Sequence, residues 1–328
     1  MARSSVVVVG SANADLVVRC SRVPRPGETL LGSGFAVVPG GKGANQAVAC
    51  SRLGARTHFI GCVGKDAFGD LLRATVAGAG VLLGHLAADA DVPTGVALIT
   101  VTAQGQNSIV VVPGANAHVT AQQVRSARKT IAAAGAVLLQ LEVPLGAVEA
   151  ALDLTRESGV LSVLDAGPAM KVPARILRKA DIVSPNETET RALTGVAVNS
   201  LGSARKAACA LIALGVKCAV LKLGHRGALL AVGGKMQHFP AVRVKPVDTT
   251  AAGDAFTAAL AVRLAGGAEI ADAVRFANCA GALATITPGA QPSMPTLAAL
   301  RRFIKAANAA LVASATGKGY NGGETGER

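Results

Sequence analysis

The chain has 328 residues, of which 51% are hydrophobic, and a formal net charge of +13. It is long enough to bury a full core, as one large domain or as a core with an inserted subdomain. Basic residues are scattered, and with one Tyr and no Trp the sequence lacks the stacking residues of a single-strand nucleic-acid binder. We therefore expect no nucleic-acid partner and attribute the charge to basic surfaces that attract an anionic substrate such as a nucleotide.

No apolar run approaches the length of a membrane span, and no signal-peptide pattern is present. The cysteines, at positions 20, 50, 62, 209, 218 and 279, show neither Cys-x-x-Cys nor Cys/His ligand spacing. We expect free thiols, no membrane partner and a cytoplasmic protein.

The first predicted strand, Val6–Val9, is continuously apolar, as expected of a buried strand in a parallel sheet. Asn13 and Asp15 follow at its carboxyl end, where α/β sheets bind ligands. If the strand continues, its period of two points both side chains the same way, which suits adjacent sugar hydroxyls. An Asx turn is an equally good interpretation of these two residues.

Two segments with short apolar runs and turn residues, 14–39 and 93–113, indicate β-structure without a helical period. Together they predict a small sheet inserted in the main fold, and the natural use of such an insertion is a lid over a cleft. The predicted α/β catalytic core comprises residues 1–13, 40–92 and 114–310. Residues 311–328 are expected to form a disordered tail.

A glycine-rich motif between the two lid segments precedes a helix predicted over residues 44–53. Gly41 and Gly43 flank Lys42 and would let the backbone approach a ligand, while Asn45 offers both a donor and an acceptor. The spacing matches neither a Walker A loop nor a dinucleotide-binding fingerprint. A plain glycine-rich loop is the alternative.

Strands and helices alternate from residue 59 onward, which favours a doubly wound parallel sheet. The predicted strands are 59–63, 136–141 and 160–165, and the predicted helices are 68–79, 121–134 and 145–158. Glu142 immediately follows a strand, at the expected cleft. It either accepts a hydrogen bond from a sugar hydroxyl or merely begins the next loop, and both interpretations stay open.

A short strand predicted near residue 182 leads into a helix that carries Asn186 and Glu189. Acidic side chains in a phosphate-binding cleft fit Mg²⁺, which is held by few carboxylates together with phosphates and waters. The same Asn-x-x-Glu spacing is a helix capping box, and both can hold at once. Further on, a strand-turn-strand pattern around Gly224 and Gly227 predicts a nucleotide-binding wall or an ordinary hairpin, with His225 as a turn residue.

Asp254 stands where a glycine-rich turn becomes a helix, within the segment 246–264. The small residues Ala251, Ala252 and Gly253 leave the first-turn amides open, and such amides with the helix dipole make a seat for phosphate oxygens. The alternative is that Asp254 is only an N-cap. A cap alone would not explain the threonines and small residues that lead into it.

The motifs at residues 40–45, 186–189 and 248–254 together resemble the PfkB carbohydrate kinase family, over a region from about Val6 to Phe303. The resemblance implies a Rossmann-like α/β fold, in which helices flank a doubly wound core sheet that carries a small β-sheet lid. The chain is most similar to members that phosphorylate D-ribose at the 5-hydroxyl. This implies ATP, Mg²⁺ and K⁺ as cofactors and a homodimer formed through the lids.

The resemblance also implies roles for individual residues. Asp254 is the general base, and the amides of Ala251, Ala252 and Gly253 form the anion hole. The matching sugar-binding positions are Asn13, Asp15, Gly41, Lys42, Gly43, Asn45, Glu142 and Asp254. The nucleotide-binding positions are Asn186, Lys222, Gly224, His225, Gly227, Gly253 and Asn278, with Glu189 in the Mg²⁺ network. The monovalent-cation positions are Asp248, Thr250, Ala284, Thr287, Gly289 and Ser293, in segments rich in backbone carbonyls.

Two positions depart from the family pattern. Asn278 stands where the family often has His, and Lys222 replaces a small hydroxyl residue, so the nucleotide contacts are expected to differ. Other substrates within the family are 2-deoxyribose, fructose and nucleosides. A nucleoside kinase is disfavoured because the sugar-side motifs carry no aromatic residue apart from Phe35. A non-catalytic sugar-binding protein is an alternative from a different class, and the Asp254 motif argues against it.

Overall fold

A computed structural model describes residues 5–316 of the chain. Its strands are β1 (Ser5–Val9), β2 (Asn13–Cys20), β3 (Gly34–Gly40), β4 (Arg56–Gly64), β5 (Leu82–Asp89), β6 (Gly95–Thr102), β7 (Asn107–Val112), β8 (Ala136–Leu139), β9 (Leu161–Asp165), β10 (Ile182–Ser184), β11 (Cys218–Lys222), β12 (Ala228–Val232) and β13 (Lys235–Phe239). Its helices are α1 (Lys42–Arg52), α2 (Ala67–Gly78), α3 (Ala121–Ser126), α4 (Arg128–Ala132), α5 (Leu145–Ser158), α6 (Ala174–Leu177), α7 (Glu187–Thr194), α8 (Leu201–Ala213), α9 (Ala252–Ala265), α10 (Ile270–Ala284), α11 (Ala290–Ser293) and α12 (Leu297–Thr316).

Nine strands form the main sheet, in the order β13-β12-β11-β10-β9-β8-β1-β4-β5. Neighbouring strands from β11 to β5 are parallel, whereas β12 pairs antiparallel with both β11 and β13. The strand order reverses at β1, which lies between β4 and β8. Ligands of open α/β sheets bind at the carboxyl ends of the strands beside such a reversal. The segments that follow β1 and β8 are therefore the place to look for a site.

The main sheet is covered by helices on both faces, which is why β1 is apolar at every position from Val6 to Val9. Val6 and Val8 belong to the core cluster that packs against α1, α9 and α10. Val7 and Val9 belong to the cluster on the opposite face, which packs against α4, α5 and α8. The doubly wound arrangement predicted from the alternation of strands and helices is confirmed.

The remaining strands form a second sheet of four, in the order β3-β2-β6-β7. Strand β2 pairs antiparallel with β3 and parallel with β6, and β6 pairs antiparallel with β7. These strands lie in the two segments predicted to form a lid. The division of the chain into core and lid, and any closing motion of this sheet, stay predictions.

Several elements differ from the sequence-based expectations. Strands β5 and β13 and helices α8 and α12 were not predicted; in β5 exposed and half-buried residues alternate, so it lacks the continuously buried apolar run of the central strands. The helix predicted over 121–134 consists of α3 and α4, separated at Ala127. The segment 287–293, which carries three of the predicted monovalent-cation positions, contains a short helix, α11. Helix α12 runs to Thr316, into the predicted disordered tail, and residues 317–328 lie outside the described residues.

All six cysteines lie within the described residues and are free thiols, as predicted. Among residues 5–316, none of the helices combines the length and the hydropathy that a membrane span needs.

Candidate active site

Asp254 lies in the first turn of α9, and its carboxylate is buried, with the residue only 4% exposed. Oδ2 accepts a hydrogen bond from Asn45 Nδ2 and Oδ1 accepts one from Gln46 Nε2, both at 3.1 Å. The N-cap position of α9 is occupied by Ala251, and no side chain caps the helix. The interpretation of Asp254 as only an N-cap is therefore wrong, because its carboxylate contacts α1 instead.

The turn before Asp254 is strained at Ala251. Ala251 has a φ of 58°, and among the residues that the structure describes it is the one residue other than glycine with a positive φ. Such a conformation costs about 1–2 kcal/mol and is retained where the surroundings enforce it, often at functional sites. The amide of Ala252 donates to the Thr249 carbonyl at a long 3.3 Å. Ala251, Ala252 and Gly253 are each partly buried, so the open side of this turn is small.

The start of α1 packs directly onto the backbone that follows β1. A Cβ atom on Gly43 would lie 2.5 Å from Ser11 N, and one on Gly41, whose φ is 85°, would lie 2.7 Å from Asn13 N. These two glycines therefore allow the start of α1 to pack against the backbone that follows β1. The Lys42 amide donates to Glu142 Oε2 at 3.0 Å, and the Ser11 hydroxyl donates to the same oxygen. The loops after β1 and β8 and the first turn of α1 thus meet at Glu142.

The Lys42 ammonium lies among carboxylates from four parts of the chain. Burial alone would lower the pKa of Lys42, but Asp254, Asp165, Glu142 and Glu189 outweigh it and raise the pKa above the usual value. The side chain passes Gly167, where an added Cβ would lie 2.8 Å from Lys42 Cε and 2.6 Å from Glu189 Oε1. Lys42 is therefore a permanent positive charge at the centre of the acidic cluster.

Asp15 of β2 faces the same cluster. Burial, and then repulsion from Glu142 and Asp254, raises the pKa of Asp15 to about 7. Asp15 is packed against Gly40 of β3, where an added Cβ would lie 2.2 Å from Asp15 Oδ2. An unpaired hydroxyl donor from a ligand would favour the ionised form of this carboxylate.

We expect Asp15→Asn to stabilise the ligand-free protein at pH 8, by about 1–3 kcal/mol, while it weakens sugar binding. An unfolded aspartate ionises near pH 4, whereas folded Asp15 ionises at about 7, so the folded protein holds an extra proton between these values and its stability falls as pH rises through that window. Urea unfolding at pH 5 and pH 8 measures this. The exposed Asp70→Asn variant is the control, and an equal pH dependence in Asp15→Asn and the unmodified protein would contradict the assignment.

The side chain of Asn13, which was predicted to bind a sugar, is hydrogen-bonded within the protein. It lies in β2 and not in an Asx turn, and its Oδ1 accepts a hydrogen bond of 2.7 Å from Asn116 Nδ2. The Asn116 side chain also bonds both the amide and the carbonyl of Ala12. Asn116 therefore holds the segment between β1 and β2, which sequence reasoning had missed.

Asn186 and Glu189 form the predicted capping box at the start of α7. Asn186 Oδ1 accepts from the Glu189 amide at 2.9 Å, and Glu189 Oε2 accepts from the Asn186 amide at 2.7 Å. Glu189 is also part of the acidic cluster, since Lys222 Nζ lies 3.9 Å from its Oε2. Burial raises the pKa of Glu189, against the attraction of Lys222 and Lys42. Capping and a role beside phosphates are thus compatible.

The predicted nucleotide side comprises the turn after β11 and part of α10. Strands β11 and β12 form a hairpin, and a Cβ on Gly227 would lie 2.0 Å from the Phe239 carbonyl, so only glycine fits there. His225 is exposed in this turn, as expected of a solvated residue. Asn278 Nδ2 donates to the Pro240 carbonyl at 2.6 Å. Lys222 is turned inward, and its Nζ lies 2.7 Å from Asp165 Oδ1.

Asp248 joins the two loops that carry the predicted monovalent-cation positions. Its Oδ1 accepts from the Thr250 amide at 2.9 Å and its Oδ2 from the Gly289 amide at 2.8 Å. Burial raises the pKa of Asp248, but these hydrogen bonds outweigh it and lower the pKa below the usual value. Its own amide donates to the Thr285 carbonyl. An ionised carboxylate among backbone carbonyls is a donor set that fits a hard monovalent cation.

The structure brings together the predicted sugar residues, Asp254 and Lys222, and it adds members that the sequence did not single out. These are Ser11, Gln46, Asn116 and Asp165. One signal was available for Asp165, because it is the acidic last residue of the largely apolar strand β9. Ala284 is the last residue of α10, Thr287 lies in the loop after it, and Ser293 is the last residue of α11. None of the three contacts the acidic cluster in the hydrogen bonds of the described residues.

Comparisons with known proteins identify the family of the chain. Residues 3–297 match the model of the pfkB family carbohydrate kinases. The ribokinase of Haemophilus influenzae is 38% identical over 303 residues, which cover 92% of this chain and 99% of the relative. The ribokinase of Arabidopsis thaliana is also 38% identical, over 92% of this chain and 81% of the relative.

Solved structures show the same fold. The structure of Arabidopsis thaliana ribokinase complexed with ribose and ATP superposes with a TM-score of 0.84 at 36% identity, covering 92% of this chain and 99% of that chain. The ribokinase of Thermotoga maritima superposes with a TM-score of 0.83 at 35% identity, covering 92% of this chain and 99% of its own.

Proposed function

The chain belongs to the pfkB family of carbohydrate kinases, and we propose that it transfers the γ-phosphoryl group of ATP to the 5-hydroxyl of D-ribose, giving D-ribose 5-phosphate and ADP. The family and enzyme class predicted from the sequence motifs are confirmed by these relatives. The observation that carries the ribose proposal is a buried carboxylate, Asp254, at an uncapped helix start and beside a polar pocket for hydroxyls. The names and the ribose complex of similar proteins support it.

The pocket beside Asp254 offers groups suited to a sugar. Asn45 Oδ1 is buried and has no hydrogen-bond partner within the described residues, although its Nδ2 donates to Asp254. A buried acceptor without a donor is costly, so a hydroxyl of a bound ligand is its natural partner. Asp15 and Glu142 supply further acceptors, and Lys42 supplies the donor. Such a set suits several adjacent hydroxyls, as ribose presents.

Asp254 is the proposed general base. Its carboxylate takes the proton of the 5-hydroxyl as the oxygen of that hydroxyl attacks the γ-phosphorus, and the bond from this phosphorus to the β,γ-bridging oxygen of ATP breaks. Burial raises the pKa of Asp254, opposed by Lys42, and a base with a raised pKa binds the proton more readily. The Ala251–Gly253 turn, at the positive end of the α9 dipole, stabilises charge on the transferring group.

The proposed nucleotide site extends from this turn toward Asn186, Gly224, Gly227 and Asn278. Glu189 would hold a Mg²⁺ ion through water, and the ion would neutralise charge on the ATP phosphates. His225, exposed beside the Gly224 turn, is part of the same proposed wall. Dependence on ATP also goes with the predicted cytoplasmic location, because ATP is plentiful there.

A monovalent cation, K⁺, is proposed beside the anion turn. Asp248 would hold it together with carbonyls of Thr250, Ala284, Thr287 and Gly289, and with Ser293 at the end of the second loop. The cation would supply positive charge behind the anion turn. Asp248 supports the proposal because it is ionised and ties the two loops together.

A homodimer through the lid is proposed from the outer face of the small sheet. The exposed apolar residues that point away from Asp15 are Val18, Phe35, Leu98, Val110 and Val112, and Phe35 and Val110 are 67% and 61% exposed. Contiguous apolar patches of this kind mark interaction surfaces.

We expect Val110→Asp to convert a dimer of the unmodified protein into a monomer, because a charge buried in an apolar interface is unpaired. Sedimentation velocity measures the masses, and Ile212→Asp on α8, far from the lid, is the matched control. A dimer that survives Val110→Asp, or a monomeric unmodified protein, would contradict the lid interface.

A coupled ADP-release assay tests the proposed reaction. The purified protein is given ATP and Mg²⁺ with ribose, 2-deoxyribose, fructose or adenosine, with and without K⁺, and the sugar product is identified by ³¹P and ¹³C NMR. We expect ribose 5-phosphate from ribose, faster turnover with K⁺, and slower turnover of 2-deoxyribose, since a missing hydroxyl leaves buried polar groups unpaired. Absence of turnover with ribose would show that the proposal is wrong.

A further inference from the structure

Behind Asp254 lies a buried ion pair that the proposed reaction does not use. Asp165 is the last residue of β9 and Lys222 the last residue of β11, on either side of β10. Lys222 Nζ lies 2.7 Å from Asp165 Oδ1, and their side chains are 10% and 1% exposed. Asp165 Oδ2 also accepts hydrogen bonds from Gln46 Nε2 at 2.9 Å and from Thr257 Oγ1 at 3.0 Å.

Gln46 connects this ion pair to the proposed base. Its Nε2 donates one hydrogen bond to Asp165 and the other to Asp254 Oδ1. Its Oε1 accepts from Gln140 Nε2 at 2.6 Å, which fixes the orientation of the amide. One amide group therefore bridges two buried carboxylates. A buried ion pair rarely stabilises a fold more than apolar residues of the same size would, so a role in the site has to account for it.

We propose that Asp165 orients the Asp254 carboxylate through Gln46, and that Lys222 balances the charge of Asp165 so that Asp254 stays ionised and able to accept a proton. Asp165, Lys222 and Gln46 are thus positioning residues, and the inference rests on the proposed kinase function. Without Lys222, a second uncompensated negative charge would stand behind Asp254. Without Asp165, the Lys222 ammonium would stand there alone, with Glu189 as its nearest carboxylate.

Other charges face Asp254 as well. They are Asp15 on β2, Lys42 on α1, Glu142 after β8 and, farther back, Glu189 on α7. Burial raises the pKa of Asp254, Lys42 lowers it, and Asp165 raises it again. Burial would likewise raise the pKa of Asp165, but Lys222 and Lys42 outweigh it, so Asp165 is ionised. Asp165 therefore opposes the ionisation of Asp254, and the opposite charge of Lys222, which lies 2.7 Å from Asp165 Oδ1, offsets it.

The test is the pKa of Asp254 in the ligand-free protein, measured by ¹³C NMR with carboxyl-labelled aspartate. The resonance is assigned by its loss in Asp254→Asn. We expect Lys222→Met to raise this pKa and Asp165→Asn to lower it, each by up to about two pH units, as Coulomb's law gives for charges roughly 6 Å apart at an effective dielectric constant of about 20. The double variant Asp165→Asn/Lys222→Met should return close to the unmodified value.

The control is Lys217→Met, which removes a solvent-exposed ion pair with Asp181 at the opposite end of β10 and β11. It should leave the pKa of Asp254 unchanged. If Lys222→Met does not fold, Asp165→Asn and the double variant still decide, because the double variant leaves no unpaired charge. Shifts below roughly 0.3 pH units in the single variants, or shifts of the same sign, overturn the charge balance.

The acid limb of the pH–kcat profile is the second readout. It should move with the pKa of Asp254 in each variant, whereas a merely structural role would lower kcat at every pH without moving the limb. The NMR titration needs no substrate, so its outcome decides the charge balance even if ribose is not phosphorylated. Failure of the proposed reaction and failure of the charge balance are therefore distinguishable.

Discussion

Asp254→Asn is expected to lower kcat with ribose by roughly 10²- to 10⁴-fold, the usual contribution of a positioned general base. An amide keeps the size of the carboxylate but cannot accept the proton of the sugar hydroxyl. Ribose affinity should change little, because the carboxylate is only one of several polar groups in the pocket. The coupled ADP-release assay gives kcat, and calorimetry gives the ribose affinity.

The exposed Asp272 of α10, 58% exposed in its side chain, provides the matched control Asp272→Asn, which should leave both quantities unchanged. In the unmodified protein kcat should rise with pH through the ionisation of Asp254, whose pKa is raised by burial. That acid limb should be absent from the residual activity of Asp254→Asn. Near-normal turnover of this variant would remove Asp254 from the role of base.

Lys42→Met is expected to be the most damaging change outside Asp254. It removes the cation that faces Asp254, Asp165, Glu142 and Glu189, and so leaves a cluster of buried carboxylates without its central counter-charge. We expect kcat/KM for ribose to fall by roughly 10²-fold or more, since both a sugar contact and the ionisation of the base are affected. The free energy of unfolding should fall by about 3 kcal/mol at pH 8.

The destabilisation should be smaller at pH 6 than at pH 8. Without Lys42 the folded pKa values of the carboxylates rise above their unfolded values, so the folded state takes up protons at lower pH and regains stability there. Urea unfolding at both pH values measures this, with the exposed Lys65→Met on the β4–α2 turn as the control. An equal loss at both pH values would contradict the central charge assigned to Lys42.

Local patterns were sufficient for most elements of the core. Strand β1 could be predicted because a continuous apolar run is what burial on two faces requires, and α7 because its capping box is a contact between residues three apart. The elements that were missed lack such local marks. Strand β5, for example, pairs with β4 but alternates between exposed and half-buried residues, so its identity depends on pairing with another strand and not on its own apolar pattern.

The candidate site divides in the same way. Residue types and spacing were enough to propose Lys42, Asn45 and Asp254, and the glycines around them. The structure corrected what the glycines do, since Gly41 and Gly43 give room to the chain's own backbone. It also turned the unusual Lys222 from a general nucleotide contact into half of a buried ion pair with Asp165.

The sequence by itself determined the family, the alternation of strands and helices in the core, the small inserted sheet and the position of the carboxylate at the start of α9. These follow from periodicity and from short motifs, which are local properties of the chain. Only the tertiary structure decided that Asp254 is no cap, that Gln46 bridges it to Asp165, and that Asn116 holds Asn13. Each of these depends on a hydrogen bond between residues at least 103 positions apart in the chain. Burial and charge pairing over such separations depend on how the chain packs, and no local pattern encodes them.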